Sequence, residues 1–144
     1  MPISTLEELP LVPSPKTSVW FSAAALKAFD EFRGNDSRGI FLKKLRWACQ
    51  VGFAACETGK SPVLAAEGNG VFRFGVKDSL FRLIGFYEDA TKASFLFFDG
   101  FTKSGQSLSG PQRARIAGVA NIRAGKAWKK KVDDGDYPRL AKGT

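Results

Sequence analysis

Apolar residues follow two regimes along the chain. Up to about residue 60 they recur at helical spacing, and between 70 and 101 they alternate or cluster as strands do. "AAALKAFDEF" (23–32) puts Leu26, Phe29 and Phe32 on roughly one side, behind Ser22, a residue suited to an N-cap. "GND" (34–36) then breaks the pattern. "RGIFLKKLRWACQVGFAACETGK" (38–60) predicts a longer helix with Phe41, Leu45, Cys49, Gly52 and Cys56 as its stripe, widened by Leu42 and Phe53. Lys43, Lys44 and Gln50 take the other side, and Gly59 followed by Pro62 ends it. Before both helices, "KTSVWFS" (16–22) reads as a short strand.

Past residue 62 the period changes. "GVFRFGV" (70–76) alternates, with Phe72, Phe74 and Val76 on one face and Arg73 and Gly75 on the other. "LFRLIGFY" (80–87) and "ASFLFFDGF" (93–101) complete an antiparallel meander of three strands, joined by "KDS" and "EDATK". Gly110 and Pro111 open a last helix over "QRARIAGVANIRAGKAWKKK" (112–131), proline suiting the first turn. The expected fold class is α+β, with the helices packed on one face of a small antiparallel sheet. Residues 1–15, with Pro10, Pro13 and Pro15 and no period, read as an extended arm. Residues 16–131 read as a single domain, and 132–144 as a polar tail, poorly ordered.

Composition narrows the function. No apolar run approaches the length of a membrane span, and the N-terminus has early acids and prolines but no basic leader, so a cytoplasmic protein is expected. Cys49 and Cys56 would lie about 10 Å apart on a helix, too far for a disulfide, and read as core residues. The chain has no histidine. That removes Ser-His and Cys-His nucleophiles and the common histidine metal sites. No metal and no cofactor are expected. Catalysis, if present, falls to Lys, Arg, Tyr or carboxylates.

The charge is uneven. Residues 101–144 hold ten basic and three acidic residues, while 1–100 hold twelve and eleven. Between Asp99 and Asp133 there is no acid and there are eight cations. Such a local field suits a polyanion, nucleic acid before membrane. A solvated face that maintains solubility accounts for the same charge.

Register decides whether cations on the sheet meet. With a two-residue loop at Asp78-Ser79, Gly75 faces Arg82 and Arg73 faces Ile84. Arg73, Lys77 and Arg82 then share one face, with Gly75 leaving room between them. A three-residue loop sends Arg82 to the opposite face. Grouped arginine and lysine suit a phosphate, and a merely polar open face is the other reading.

"FRLIGFYEDATKASFLFFDGFTKSGQSLSGPQRARIAGV" (81–119) resembles the C-terminal half of the RelE/ParE toxin superfamily, in its HigB-like group. Phe81-Arg82-Leu83 stands for the first strand element. Gly100 to Gln106 stands for the "GFxKKxxQ"-type loop, with Pro111 after it. The resemblance implies a toxin of a type II toxin–antitoxin pair that cuts mRNA in the ribosomal A site without a metal. It places Arg73, Lys77, Arg82 and Lys103 at or near the family's basic catalytic positions. Lys43, Lys44, Gln106, Arg113, Arg115 and Arg123 are the expected RNA contacts, to mRNA and rRNA. The implied partner is a cognate antitoxin, a helix-turn-helix protein from the same operon. Two departures stand out: Ser104 replaces a second basic residue, and 104–131 contains no Tyr or His to act as a late acid or base. A ParE-like inhibitor of DNA gyrase and a non-catalytic binding module of the same fold are the alternatives.

Overall fold

The computed structural model describes residues 16–31, 35–58, 63–76, 80–103, 109–133 and 139–140. Strand β1 (Ser18–Phe21) leads into helices α1 (Ala23–Glu31) and α2 (Asn35–Val51) and a 3₁₀ turn (Phe53–Glu57). Strands β2 (Leu64–Gly68), β3 (Val71–Gly75), β4 (Phe81–Tyr87) and β5 (Ser94–Thr102) follow. Helices α3 (Gly110–Gly125) and α4 (Ala127–Asp133) and a two-residue strand β6 (Arg139–Leu140) close the order.

The fold class is α+β, but the sheet is larger than the expected meander. Its order is β2-β3-β4-β5-β1-β6, antiparallel except where β1 runs parallel to β5. The additional strand β2 is joined to β3 by Asn69-Gly70, whose φ angles of 56° and 77° suit a two-residue hairpin. β6 pairs with β1 (Val19↔Leu140, Trp20↔Arg139), so part of the segment expected as a poorly ordered tail belongs to the sheet.

Helix boundaries follow from local chemistry. Ser22 accepts from the Ala25 N–H at 3.1 Å as the N-cap of α1, and its hydroxyl donates to the Phe98 carbonyl at 3.0 Å, tying helix to sheet. Asn35 and Asp36, expected to break the chain, begin α2 instead. α2 ends at Gly52, not Gly59, because the backbone turns to φ 96° there. The last basic helix is also broken. Lys126 adopts φ 60° and separates α3 from α4.

Helices cover both faces, which corrects the expectation of one. Against α1, α2 and the 3₁₀ turn the sheet buries Phe21, Phe74, Phe81, Phe95 and Phe97 with Phe29, Phe41 and Phe53. Edge-to-face pairs such as Phe41–Phe81, with centroids 5.2 Å apart, add about 0.5–1.5 kcal/mol each beyond burial. On the other face Val71, Ile84, Phe86, Phe98 and Phe101 meet Ile116 and Val119 of α3 and Trp128 of α4. Both cysteines are free and buried, and burial, then Cys56, pushes the Cys49 thiol up to about 12. Among the described residues no helix is long and apolar enough to cross a membrane.

Candidate nucleic-acid interface

The β3–β4 register is the two-residue one: Gly75↔Arg82 and Arg73↔Ile84. Arg73 and Arg82 therefore share the face on which α3 lies, at the end of β4 where its strand begins. Gly75 leaves the room that this placement of Arg82 uses. A Cβ on it would lie 2.4 Å from Cδ and 2.5 Å from Nε of Arg82, so the arginine stem lies across the bare glycine. Arg82 donates through one terminal nitrogen to the Phe81 carbonyl at 2.8 Å.

Lys103, the residue just past β5, joins them. Its backbone N–H donates to the Leu80 carbonyl at 2.7 Å, which fixes the residue beside the start of β4. Burial lowers the pKa of Arg82, and Arg73 lowers it further. Burial, then Arg82 and Arg73, lower that of Lys103, while Glu67 acts the other way. Arg73, Arg82 and Lys103 are thus close enough to act on one another's charge, with Glu67 the carboxylate among them.

Glu67, which sequence reasoning missed, holds Arg73. Its Oε2 lies 3.1 Å from Arg73 Nε, with both side chains largely out of solvent. The β2–β3 register shifts between Ala66 and Gly68, and this irregularity carries Glu67. The Asn69-Gly70 pair was the available signal for the hairpin that presents it.

The other expected residues separate. Lys77 and Gln106 lie outside the described residues. Lys43 and Lys44 are on α2, across the sheet from Arg82, and do not belong to this group; Lys44 Nζ sits 4.5 Å from the Trp47 ring centroid. Arg113 is exposed on α3 and lines a shallow groove with Glu67, Gly68 and Asn69, close to the site. Arg115 is committed to Asp99, its Nε 2.8 Å from Oδ2, and this bond raises its pKa. Arg123 donates to the Asn69 carbonyl at 3.3 Å across Gly70. Tyr87 faces the first core, where it donates to Glu57 at 2.6 Å. Burial and that bond push its pKa far up, so it supplies no acid or base to the cluster.

The chain is similar to three solved structures from E. coli. The intact RelBE toxin–antitoxin complex shares 16% identity at a TM-score of 0.40, over 60% of this chain and 96% of that one. The isolated RelE toxin shares 16% at 0.41, over 68% and 96%. A RelE double mutant in complex with a peptide of the antitoxin RelB shares 14% at 0.36, over 60% and 83%. No family model and no curated protein matches the chain.

Proposed function

We propose that this chain is a HigB-like toxin of the RelE/ParE superfamily, a metal-independent endoribonuclease that cuts mRNA on the ribosome in the cytoplasm. One observation supports it above the rest. Arg82 and Lys103, the most specific positions of the resemblance over 81–119, converge with Arg73 on one face of the sheet.

RNA strand cleavage needs a 2′-hydroxyl made nucleophilic and an in-line phosphorane relieved of its charge. Lys103, beside Arg82 and Arg73, is the residue assigned to take the 2′-proton. The 2′-oxygen bonds to phosphorus, the bond to the 5′-oxygen breaks, and the leaving oxygen takes a proton from water. The products are a 2′,3′-cyclic phosphate and a 5′-hydroxyl. Arg73 and Arg82 supply fixed positive charge to the phosphorane oxygens, and removing one such donor costs about 10²–10³ in rate. Glu67 holds the Arg73 guanidinium in place. Arg113 adds a phosphate contact, and a helix-turn-helix antitoxin from the same operon restrains the activity.

Expression without the antitoxin tests this. The wild-type chain is expected to arrest growth and to leave cleavage ends in translated mRNA by primer extension. Arg82→Ala is expected to relieve both while the purified protein keeps its circular dichroism, since a partly exposed arginine on a sheet costs little stability. A folded, equally toxic Arg82→Ala protein overturns the mechanism. Arrest with intact mRNA and broken chromosomal DNA assigns the chain to gyrase inhibition instead.

A further inference from the structure

Beside the cation cluster, on the same face of the sheet, α3 and the β2–β3 hairpin border a groove of about 170 Å³. Glu67, Gly68 and Asn69 form one wall, and Ile116, Ala117 and Ala120 of α3 form an apolar one. The groove is smaller than the roughly 300–1,000 Å³ of whole-ligand sites and suits a single planar ring system. We propose that it takes one nucleobase of the RNA strand, guanine, with its base-pairing edge on the Glu67 carboxylate and its face on the α3 side chains. The proposal rests on the RNA reading above and adds a base selector to it.

Strand register puts both walls on one face. Leu64 and Ala66 stand opposite Phe74 and Phe72, which pack with the first core. Ala65 stands opposite Arg73, and Gly68 opposite Val71, which packs with Ile116 and Val119 of α3. The register shift after Ala66 leaves Glu67 between those pairs, and its carboxylate meets Arg73 on the α3 face. The hairpin wall is tied to the helix. Arg123 lies across Gly70, where a Cβ would come 2.5 Å from its guanidinium carbon, and it donates to the Asn69 carbonyl at 3.3 Å. Arg73 and Arg82 are diagonal neighbours in the β3–β4 ladder, about 7–8 Å apart. A base held at Glu67 therefore leaves its own phosphate within reach of Arg82 and Lys103.

The chemistry of a carboxylate selects the base. Oε2 of Glu67 lies 3.1 Å from Arg73 Nε, and among the described residues Oε1 has no hydrogen-bond partner. An ionised carboxylate accepts and never donates. Guanine sets two donors side by side on its base-pairing edge, the N1–H and the N2 amine. Adenine and cytosine set one donor beside an acceptor there, and uracil flanks one donor with two acceptors. Each of those three turns a lone pair towards the carboxylate. The acid does not repel the strand, because Arg73 pairs with it and Arg113, exposed beside the groove, holds the adjoining phosphate as assigned above.

The test is fluorescence anisotropy with single-stranded 2′-O-methyl oligouridines of about twelve nucleotides, which lack the nucleophile and carry guanine, hypoxanthine, adenine or uracil at the centre. The wild-type chain is expected to hold the guanine strand about tenfold more tightly than the adenine or uracil strand, the worth of one good bidentate pair. Hypoxanthine, which keeps N1–H and lacks the N2 amine, is expected to fall between. Salt is expected to weaken every strand while leaving these ratios unchanged, since base contacts release no counterions. Glu67→Gln presents one donor and one acceptor, and is expected to bind adenine as well as guanine. Ala117→Leu, at an exposed position, fills the groove without touching the Glu67–Arg73 pair, and is expected to bind all the strands alike. Circular dichroism of both variants is expected to match the wild type. Equal wild-type affinity for all the strands overturns the groove and leaves the RNA reading standing. A guanine preference that survives in both variants also overturns it, because Glu67 then does no more than hold Arg73. No binding of any strand by the wild-type chain overturns the RNA reading and the groove with it.

Discussion

A single added methyl group separates what a residue does for the site from what it does for the fold. Gly75 and Gly85 both lie in the β3–β4 ladder, and neither has a left-handed φ. The obstacle at Gly75 is the stem of Arg82, a flexible side chain. The obstacle at Gly85 is the backbone carbonyl oxygen of Leu96, only 1.9 Å from an ideal Cβ. This oxygen belongs to β5, where the register slips past Phe98 opposite Ile84 and Gly85. Gly75→Ala is therefore expected to keep a near-wild-type thermal midpoint while moving the guanidinium, with a fall in RNA cleavage of about 10². Gly85→Ala forces strand against strand and is expected to cost about 3 kcal/mol or more in a urea melt. Wild-type cleavage by Gly75→Ala would show that the placement of Arg82 over the glycine is immaterial. The Arg73–Arg82 pairing was legible because strand period and a two-residue loop fix which side chains share a face. Glu67 was not, because its direction depends on a register irregularity in β2, and no period encodes an irregularity.

At the scale of elements, the long helix α2 and the strands β3, β4 and β5 were legible because each carries a strong period. The end of α2 was not. Phe53 and Cys56 continue the helical spacing past Gly52, yet they sit in a 3₁₀ turn. What stops the helix is tertiary. The Lys16 and Thr17 N–H groups both donate to the Cys49 carbonyl, at 2.9 and 3.1 Å, and the Thr17 hydroxyl accepts from the Phe53 N–H at 2.9 Å. The strand entry thus takes over the hydrogen bonds that another helical turn would have supplied. Thr17→Val keeps the shape and removes the acceptor, leaving a buried N–H. The expected cost is about 1–3 kcal/mol by denaturant titration, and a loss below 0.5 kcal/mol would mean that this joint does not set the helix end. β2 escaped notice because "LAAEG" is weakly apolar and belongs to a sheet edge. The break at Lys126 escaped because the left-handed residue is lysine, where glycine or asparagine would have announced it.

Across the whole molecule, the sheet divides the cations that sequence reasoning had grouped. Lys43 and Lys44 ride on α2 at one face, while Arg73, Arg82, Lys103 and Arg113 gather on the other. The acid-free run from 100 to 132 is basic in sequence but not uniformly available in space, because Asp99, at its border, engages Arg115 through two hydrogen bonds. Phe101 lies beneath the same guanidinium, 5.8 Å from its centre. Two neighbouring arginines of α3 therefore carry different duties, and one pair of substitutions tells them apart. Arg113→Ala, at an exposed position beside the Glu67–Arg73 pair, is expected to lower the salt slope of RNA binding by about 0.7 and to leave stability within about 0.5 kcal/mol. Arg115→Ala is expected to leave the slope unchanged and to cost about 1 kcal/mol, because Asp99 is left mostly buried without its partner. The loss of affinity in Arg113→Ala should be nearly uniform across RNA sequences, since phosphate contacts position a strand without reading it. Equal slopes for Arg113→Ala and wild type, with a reduced slope for Arg115→Ala, would place the strand along the Asp99 side of the helix and require the ion pair to open on binding.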